Sequence, residues 1–67
     1  MSVAKVTEII ASSNKSIEDA IESGIKRANK TIKNIKSAWV DGINIEVDKG
    51  KISSYRVNMK VTFVLKD

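Results

Sequence analysis

The sequence ISSYRVNMKVTFVL, residues 52–65, decides the fold of this chain. Apolar and polar residues alternate along it, which predicts a β-strand, because successive side chains of a strand point to opposite faces of a sheet. One face is apolar and comprises Tyr55, Val57, Met59, Val61, Phe63 and Leu65, and the other is polar and comprises Ser54, Arg56, Asn58, Lys60 and Thr62. The polar face is either exposed to water or lines a polar cavity that several copies of the chain build together.

A second long strand is predicted directly before this one, over Ile35–Val47, where Asn44–Val47 alternates clearly. The residues between the two strands, Asp48–Lys51, predict a hairpin turn, and Gly50 is available for a positive φ angle. The carboxyl half of the chain is therefore expected to be a long β-hairpin.

The amino half predicts a strand and then a helix. Residues Val3–Ala11 are rich in β-branched types and predict the first strand, and Ser12–Lys15 is a polar break. The helix is expected to begin at Ser16, whose hydroxyl can cap free backbone N–H groups, and to end near Asn34. Its apolar stripe recurs at steps of three or four residues and comprises Ile17, Ala20, Ile21, Gly24, Ile25, Ala28 and Ile32.

The resulting order is β-α-β-β, an α+β fold in a single domain over residues 1–67. Gly24 lies on the apolar stripe of the helix, where the missing side chain would let the sheet approach closely. One helix covers only part of one face of a sheet with strands this long. The remainder must be solvated or covered by neighbouring subunits.

Length and composition limit what the chain can do alone. It has 67 residues, no Cys and no His, and a domain of about this size buries only about 60% of its unfolded surface. Small folds compensate with disulfides, a structural metal or self-association. Without Cys and His, disulfides, zinc-type clusters and His-based acid–base catalysis are excluded. We therefore expect a homo-oligomer that is not an enzyme.

The net charge of +4 and the pI near 9.6 favour small anionic partners such as phosphorylated cofactors. Lys26, Lys30 and Lys33 predict a basic ridge on the helix, which is either solvated or a contact for the phosphates of FMN or coenzyme A. No aromatic residues interleave with it, so nucleic acid is not an expected partner. The sequence shows no signal peptide and no membrane span, so a cytoplasmic location is expected and no membrane partner.

Several short motifs follow one another along nearly the whole chain. They are Val3-x-Lys5-Val6-x-Glu8, Ser12, Ser16-Ile17-Glu18-x-Ala20, Ala28, Asn34-Ile35 and Tyr55-Arg56-Val57-x-Met59-Lys60-Val61-x-Phe63. In their order and spacing, these motifs resemble those of the dodecins, small flavoproteins of bacteria and archaea.

This resemblance implies a subunit whose three-stranded antiparallel sheet partly wraps one helix. It further implies that twelve subunits close into a hollow sphere. The family binds flavin, FMN or riboflavin, in pairs stacked between aromatic rings at subunit contacts. The implied role is storage and quenching of flavin rather than turnover.

Two positions that carry flavin binding in the family differ in this chain. Aligning Asn34-Ile35 with the family places Ser37 where a stacking tryptophan is usual, and Arg56 where a glutamine is usual. A glutamine amide both donates and accepts hydrogen bonds, whereas arginine only donates. Trp39 follows two residues after Ser37, on the same face of the strand and displaced by about 7 Å.

Ser37, Trp39 and Arg56 are the candidate ligand-binding residues. Trp39 either stacks on a ligand shifted along the strand or anchors a subunit contact. Arg56 either grips a carbonyl, phosphate or carboxylate of a ligand or pairs with an acid across a subunit boundary.

A calcium-binding or purely structural particle without flavin is the alternative function. Calcium takes oxygen ligands, and some dodecin-like proteins that lack the flavin residues are associated with it. The acidic residues group near the helix start and the hairpin, and they are Glu18, Asp19, Glu22, Asp41, Glu46 and Asp48. None has EF-hand spacing, and partnership with the helix dipole or solvent explains them more simply. No metal ligand is assigned from the sequence.

Overall fold

The alternating stretch near the carboxyl end forms the central strand of a three-stranded antiparallel sheet. The structure is a computed structural model that describes residues 3–65. Its elements are β1 (Val3–Ser13), α1 (Ile17–Ala28), β2 (Ile35–Asp48) and β3 (Lys51–Leu65). The strand order is β1-β3-β2, so β3 pairs along both of its edges. The predicted β-α-β-β order and the α+β fold class are confirmed.

The first strand is longer than the sequence predicted, because Ser12 and Ser13 belong to β1 and not to a break. They pair with Arg56 and Tyr55 of β3. The Ser13 hydroxyl donates to Asp19 Oδ2 at 2.6 Å and accepts from the backbone N–H of Lys15 at 2.9 Å. These hydrogen bonds satisfy a buried hydroxyl inside the strand, which the polarity of the residue alone did not predict.

The helix is shorter than predicted, because it ends at Ala28 and not near Asn34. Residues 29–32 form a turn instead, and Asn34 adopts φ 64°, a left-handed conformation that ends any helix and that Asn tolerates well. The Asn34 carbonyl accepts from the Val64 N–H at 3.1 Å, which fixes the entry into β2. Lys30 and Lys33 consequently lie beyond the helix, and the predicted basic helical ridge with Lys26 does not form.

The helix begins and packs as its sequence predicted. Ser16 is the N-cap, and its hydroxyl accepts from the Asp19 N–H at 2.9 Å. The apolar stripe lies on β1 and β3, and the buried hydrophobic side chains are Ala20, Ala28, Val57, Met59 and Val61. A Cβ built on Gly24 would lie 2.7 Å from Ala11 Cβ and 3.0 Å from Met59 Cε. The absence of that atom therefore permits the close approach of helix and sheet.

The hairpin of β2 and β3 extends past the helix. Lys49 and Gly50 have φ angles of 52° and 78°, as in the two-residue turns that match the twist of paired strands. The described residues span 52 × 19 × 13 Å, an elongated shape. Within this part of the chain, α1 contacts β1 and β3 but not β2. The apolar side chains of β2 on the helix side consequently stay exposed, namely Val40, Ile43, Ile45 and Val47.

Candidate functional site

The candidate site lies on the face of the sheet opposite α1, called here the helix-free face. Its orientation follows from the central strand, because Val57, Met59 and Val61 are fully buried under the helix and the intervening residues must point away. Directly paired residues of antiparallel strands share a face. The helix-free face therefore carries Arg56, Asn58, Lys60 and Thr62 of β3, flanked by Val6, Glu8, Ile10 and Ser12 of β1 and by Ser37, Trp39, Gly42, Asn44 and Glu46 of β2.

Ser37 and Trp39 both lie on this face, as their spacing predicted. Ser37 pairs with Thr62 and Trp39 pairs with Lys60, with no register shift between them. The Trp39 side chain is 77% exposed, more than any other large hydrophobic residue described. An indole so exposed is free to accept a stacked ring or to be covered by another subunit.

Arg56 lies on the same face and is already paired. Its Nη2 donates to Glu46 Oε1 at 2.8 Å, and both side chains are about half exposed (45% and 50%). Of the two roles that the sequence left open, pairing with an acid is seen here within one chain. The sequence did not identify Glu46 as this partner. Glu46 alternates with Asn44 and so shares its face of β2, but only the pairing register of β2 and β3 shows that Glu46 lies beside Arg56.

Ser37 and Arg56, the two positions that carry flavin binding in the family, lie far apart in the structure. Trp39 lies closer to Arg56 than Ser37 does. Ser37 lies opposite Thr62, six residues from Arg56 along β3, which is about 20 Å at about 3.4 Å per residue. Trp39 lies opposite Lys60, four residues from Arg56, or about 14 Å. A single chain therefore does not place Ser37 and Arg56 on one small ligand, whereas Trp39 and Arg56 border a shorter stretch of the face.

A β-bulge shapes this stretch between Trp39 and Arg56. Val40 pairs with Met59 and Gly42 with Asn58, so Asp41 is the extra residue in β2. Nothing lies within 4 Å of a Cβ built on Gly42. The face is consequently open above Gly42, which lies between Trp39 and the Arg56–Glu46 ion pair.

Two grooves occur on other parts of the surface. One, of about 480 Å³, runs between β1 and α1 and includes Gly24 and Arg27, and the other, of about 410 Å³, lies beside Asn34 and Phe63. Ser37, Trp39 and Arg56 border neither groove. Neither cavity is therefore part of the site that the sequence predicted.

The acidic residues do not gather into a metal site within residues 3–65. No group of three Asp or Glu side chains in this part of the chain is arranged to hold an ion. Among the described helices, none is long and apolar enough to cross a membrane.

Comparison with known proteins agrees with this architecture. The family model described as Dodecin matches residues 3–66. A calcium dodecin from Mycobacterium tuberculosis is 33% identical over 66 residues, which is 98% of this chain and 93% of that protein. The solved structure of a dodecin from Streptomyces davaonensis has a TM-score of 0.94 at 32% identity, covering 98% of this chain and 97% of the other.

Two further solved structures are similar. An arginine-to-alanine variant of T. thermophilus dodecin has a TM-score of 0.95 at 27% identity, with both chains fully covered. A structure of the calcium dodecin from M. tuberculosis, described as a calcium chelating antigen, has a TM-score of 0.81 at 35% identity, covering 96% and 91% of the two chains. With its β-α-β-β subunit and a family match along nearly its whole length, this chain belongs to the dodecin family.

Proposed function

We propose that copies of this chain assemble into a closed shell of twelve subunits, which binds and sequesters a flavin, FMN or riboflavin, without catalysing a reaction. The observation that carries the ligand-binding part is the Trp39 indole, 77% exposed on the helix-free face of the sheet. The assembly part rests on the small core and on the apolar side chains that the helix leaves uncovered.

Self-association is supported by the apolar surface of the hairpin. Val40, Ile43, Ile45 and Val47 of β2 are 39–64% exposed on the helix side, where no element of the described chain covers them. Ile52 at the start of β3 is 52% exposed and pairs with Val47. A contiguous apolar strip of this kind marks a protein interface, because monomers seldom leave one in water. A second copy of the same chain is the partner that is always present in solution.

Flavin binding is supported by the chemistry of the helix-free face. An indole and an isoalloxazine ring stack favourably, and such aromatic pairs contribute roughly 0.5–1.5 kcal/mol beyond their buried area. The Arg56 guanidinium carries five N–H donors and uses Nη2 for Glu46, so other donors stay available for a ligand carbonyl or phosphate. Ser37 adds a hydroxyl one position further along β2, at the outer end of the same face.

The experiment combines particle size with flavin fluorescence. Light scattering at micromolar concentration is expected to show a particle of about twelve subunits, and titration of riboflavin and FMN is expected to quench both the flavin and Trp39. Trp39→Ala should weaken binding while Trp39→Phe, which keeps an aromatic face, should retain most of it. A stable monomer or dimer contradicts the shell. An assembled particle that leaves flavin fluorescence unchanged contradicts the ligand.

A particle without flavin that binds calcium is the second candidate, favoured by the similarity in sequence and in structure to the calcium dodecin of M. tuberculosis. The acids that would supply oxygen ligands do not cluster within one described chain, so such a site would have to combine residues of several subunits. Calorimetric titration of the assembled, chelator-treated protein with calcium separates the candidates. Saturable calcium binding without flavin quenching would replace the first candidate with the second.

A further inference from the structure

We propose that Asn58 recognises the polar edge of the bound ring, and that Gly42 leaves the space in which this ring lies beside Trp39. The inference rests on the proposed function and gives the chemical class of its ligand: a planar ring that carries an imide, an N–H group between two carbonyls. The isoalloxazine of flavins belongs to this class.

The pairing register places Asn58 and Trp39 next to each other. Trp39 is directly opposite Lys60, and Asn58 is two residues from Lys60 on the same face of β3. Diagonal neighbours of this kind are separated by about 7–8 Å and lie within reach of an aromatic side chain. A ring stacked on the Trp39 indole can therefore extend its edge over Asn58.

The Asn58 side chain is suited to that edge. It is half-buried, and within residues 3–65 its amide makes no hydrogen bond to another side chain or to the backbone. A carboxamide has an N–H donor and a carbonyl acceptor side by side. Its nitrogen can donate to an imide carbonyl while its oxygen accepts from the imide N–H, which makes two hydrogen bonds in one plane.

Gly42 leaves space for the ring beside Asn58, and the bulge at Asp41 is the reason that Gly42 lies opposite Asn58. Strict alternation after Trp39 would put Asp41 opposite Asn58, where its carboxylate would accept from the amide and repel ligand carbonyls. The extra residue shifts the register, so Gly42 pairs with Asn58 instead. A Cβ built on Gly42 meets no atom within 4 Å, and the space above the pair is free.

Arg56 cannot make the same contact. It only donates hydrogen bonds, it is engaged by Glu46 at 2.8 Å, and it lies one position further than Asn58 from Trp39 on this face. Its remaining donors suit a carbonyl or phosphate, as described above, and do not match an imide N–H.

The experiment compares two matched ligands and two matched variants. Lumiflavin has the imide N–H, and 3-methyllumiflavin has a methyl group in its place. The wild-type protein is expected to bind lumiflavin up to about tenfold more tightly than the methylated ring, because the methyl group removes the N–H group that donates to the Asn58 oxygen. In Asn58→Leu this preference should disappear, and lumiflavin binding should weaken by about tenfold or more, because both hydrogen bonds are lost. The control, Asn14→Leu, makes the same change at an exposed residue outside the helix-free face and should alter neither value more than twofold.

The outcomes separate this inference from the proposed function. If the wild type quenches both rings equally, the inference is overturned while flavin binding stands. If Asn58→Leu keeps the preference for lumiflavin, another residue reads the imide and the inference is again overturned. If the assembled wild type binds neither ring, the proposed function fails and the inference fails with it. Because the ligand comparison is made on the wild type, it holds even if Asn58→Leu does not fold.

Discussion

Replacement of Gly24 by alanine tests the packing of the helix on the sheet. The added Cβ would lie 2.7 Å from Ala11 Cβ, whereas carbon atoms in contact are separated by about 3.5–4.0 Å. Ala11 Cβ is attached directly to the backbone of β1 and cannot rotate away. The helix and the strand must therefore separate by about 1 Å, which weakens the contacts of Met59 and its neighbours.

Two effects of opposite sign set the size of the change. Alanine in place of glycine stabilises a helix interior by about 1 kcal/mol. Insertion of a carbon atom into a packed interface costs about 1–3 kcal/mol. We expect steric repulsion to exceed the gain in helix propensity, so that Gly24→Ala lowers the free energy of unfolding by about 1 kcal/mol, within a range of about 0–2 kcal/mol.

The assay is urea unfolding at one fixed subunit concentration, because the stability of an oligomer depends on its concentration. Gly42→Ala is the control, since its added Cβ meets no neighbour, and its effect should stay within about 0.5 kcal/mol. In the double variant Ala11→Gly with Gly24→Ala the clashing atom is gone, and a favourable coupling of about 1 kcal/mol is expected. A Gly24→Ala protein more stable than the wild type, or a coupling of zero, would refute the close-packing argument.

Three further changes test other parts of the molecule. Ser37→Trp together with Arg56→Gln should raise flavin affinity above that of the natural chain, measured by flavin quenching, because a stacking face and a paired donor and acceptor are added. Since one chain holds the two positions about 20 Å apart, different subunits would contribute them to one flavin. Equal quenching by both proteins would contradict this prediction. Ser13→Ala should lower the free energy of unfolding by about 1–3 kcal/mol in urea titration, since the buried hydroxyl bonds Asp19 and two backbone N–H groups; an unchanged midpoint would show that these bonds contribute little. Ile43→Glu should dissociate the assembled particle, as followed by light scattering, whereas the same change at a residue outside the interface should not. A particle of unchanged size would show that the apolar strip of β2 is not part of the interface.

Much of the fold could be predicted from local sequence patterns. The alternation over residues 52–65 predicted a strand with one buried face, and Val57, Met59 and Val61 are indeed fully buried. The spacing of apolar residues predicted the helix, and a serine predicted its N-cap at Ser16. Gly50 predicted the turn, where its φ angle is 78°. These features depend on residues that are near each other in the chain, so a local pattern is sufficient.

The same alternation predicted part of the candidate site. It placed Ser37 and Trp39 on one face and Arg56 on the polar face of the last strand, and the structure shows all three on the helix-free face. Asn58 shares that face and could have been recognised from the sequence, since it alternates with Arg56. Whether these residues bind a ligand stays a prediction.

The remaining features were decided by pairing between distant segments. The helix ends at Ala28, and the chain enters β2 through Asn34, which hydrogen-bonds Val64, thirty residues away. The partner of Arg56 is Glu46 because the hairpin register brings the two together. The bulge at Asp41 places Gly42 opposite Asn58, contrary to simple alternation. A sequence pattern specifies which face a side chain takes, but the residue that lies opposite it depends on register, and register is set by the hydrogen bonds and packing of the whole sheet.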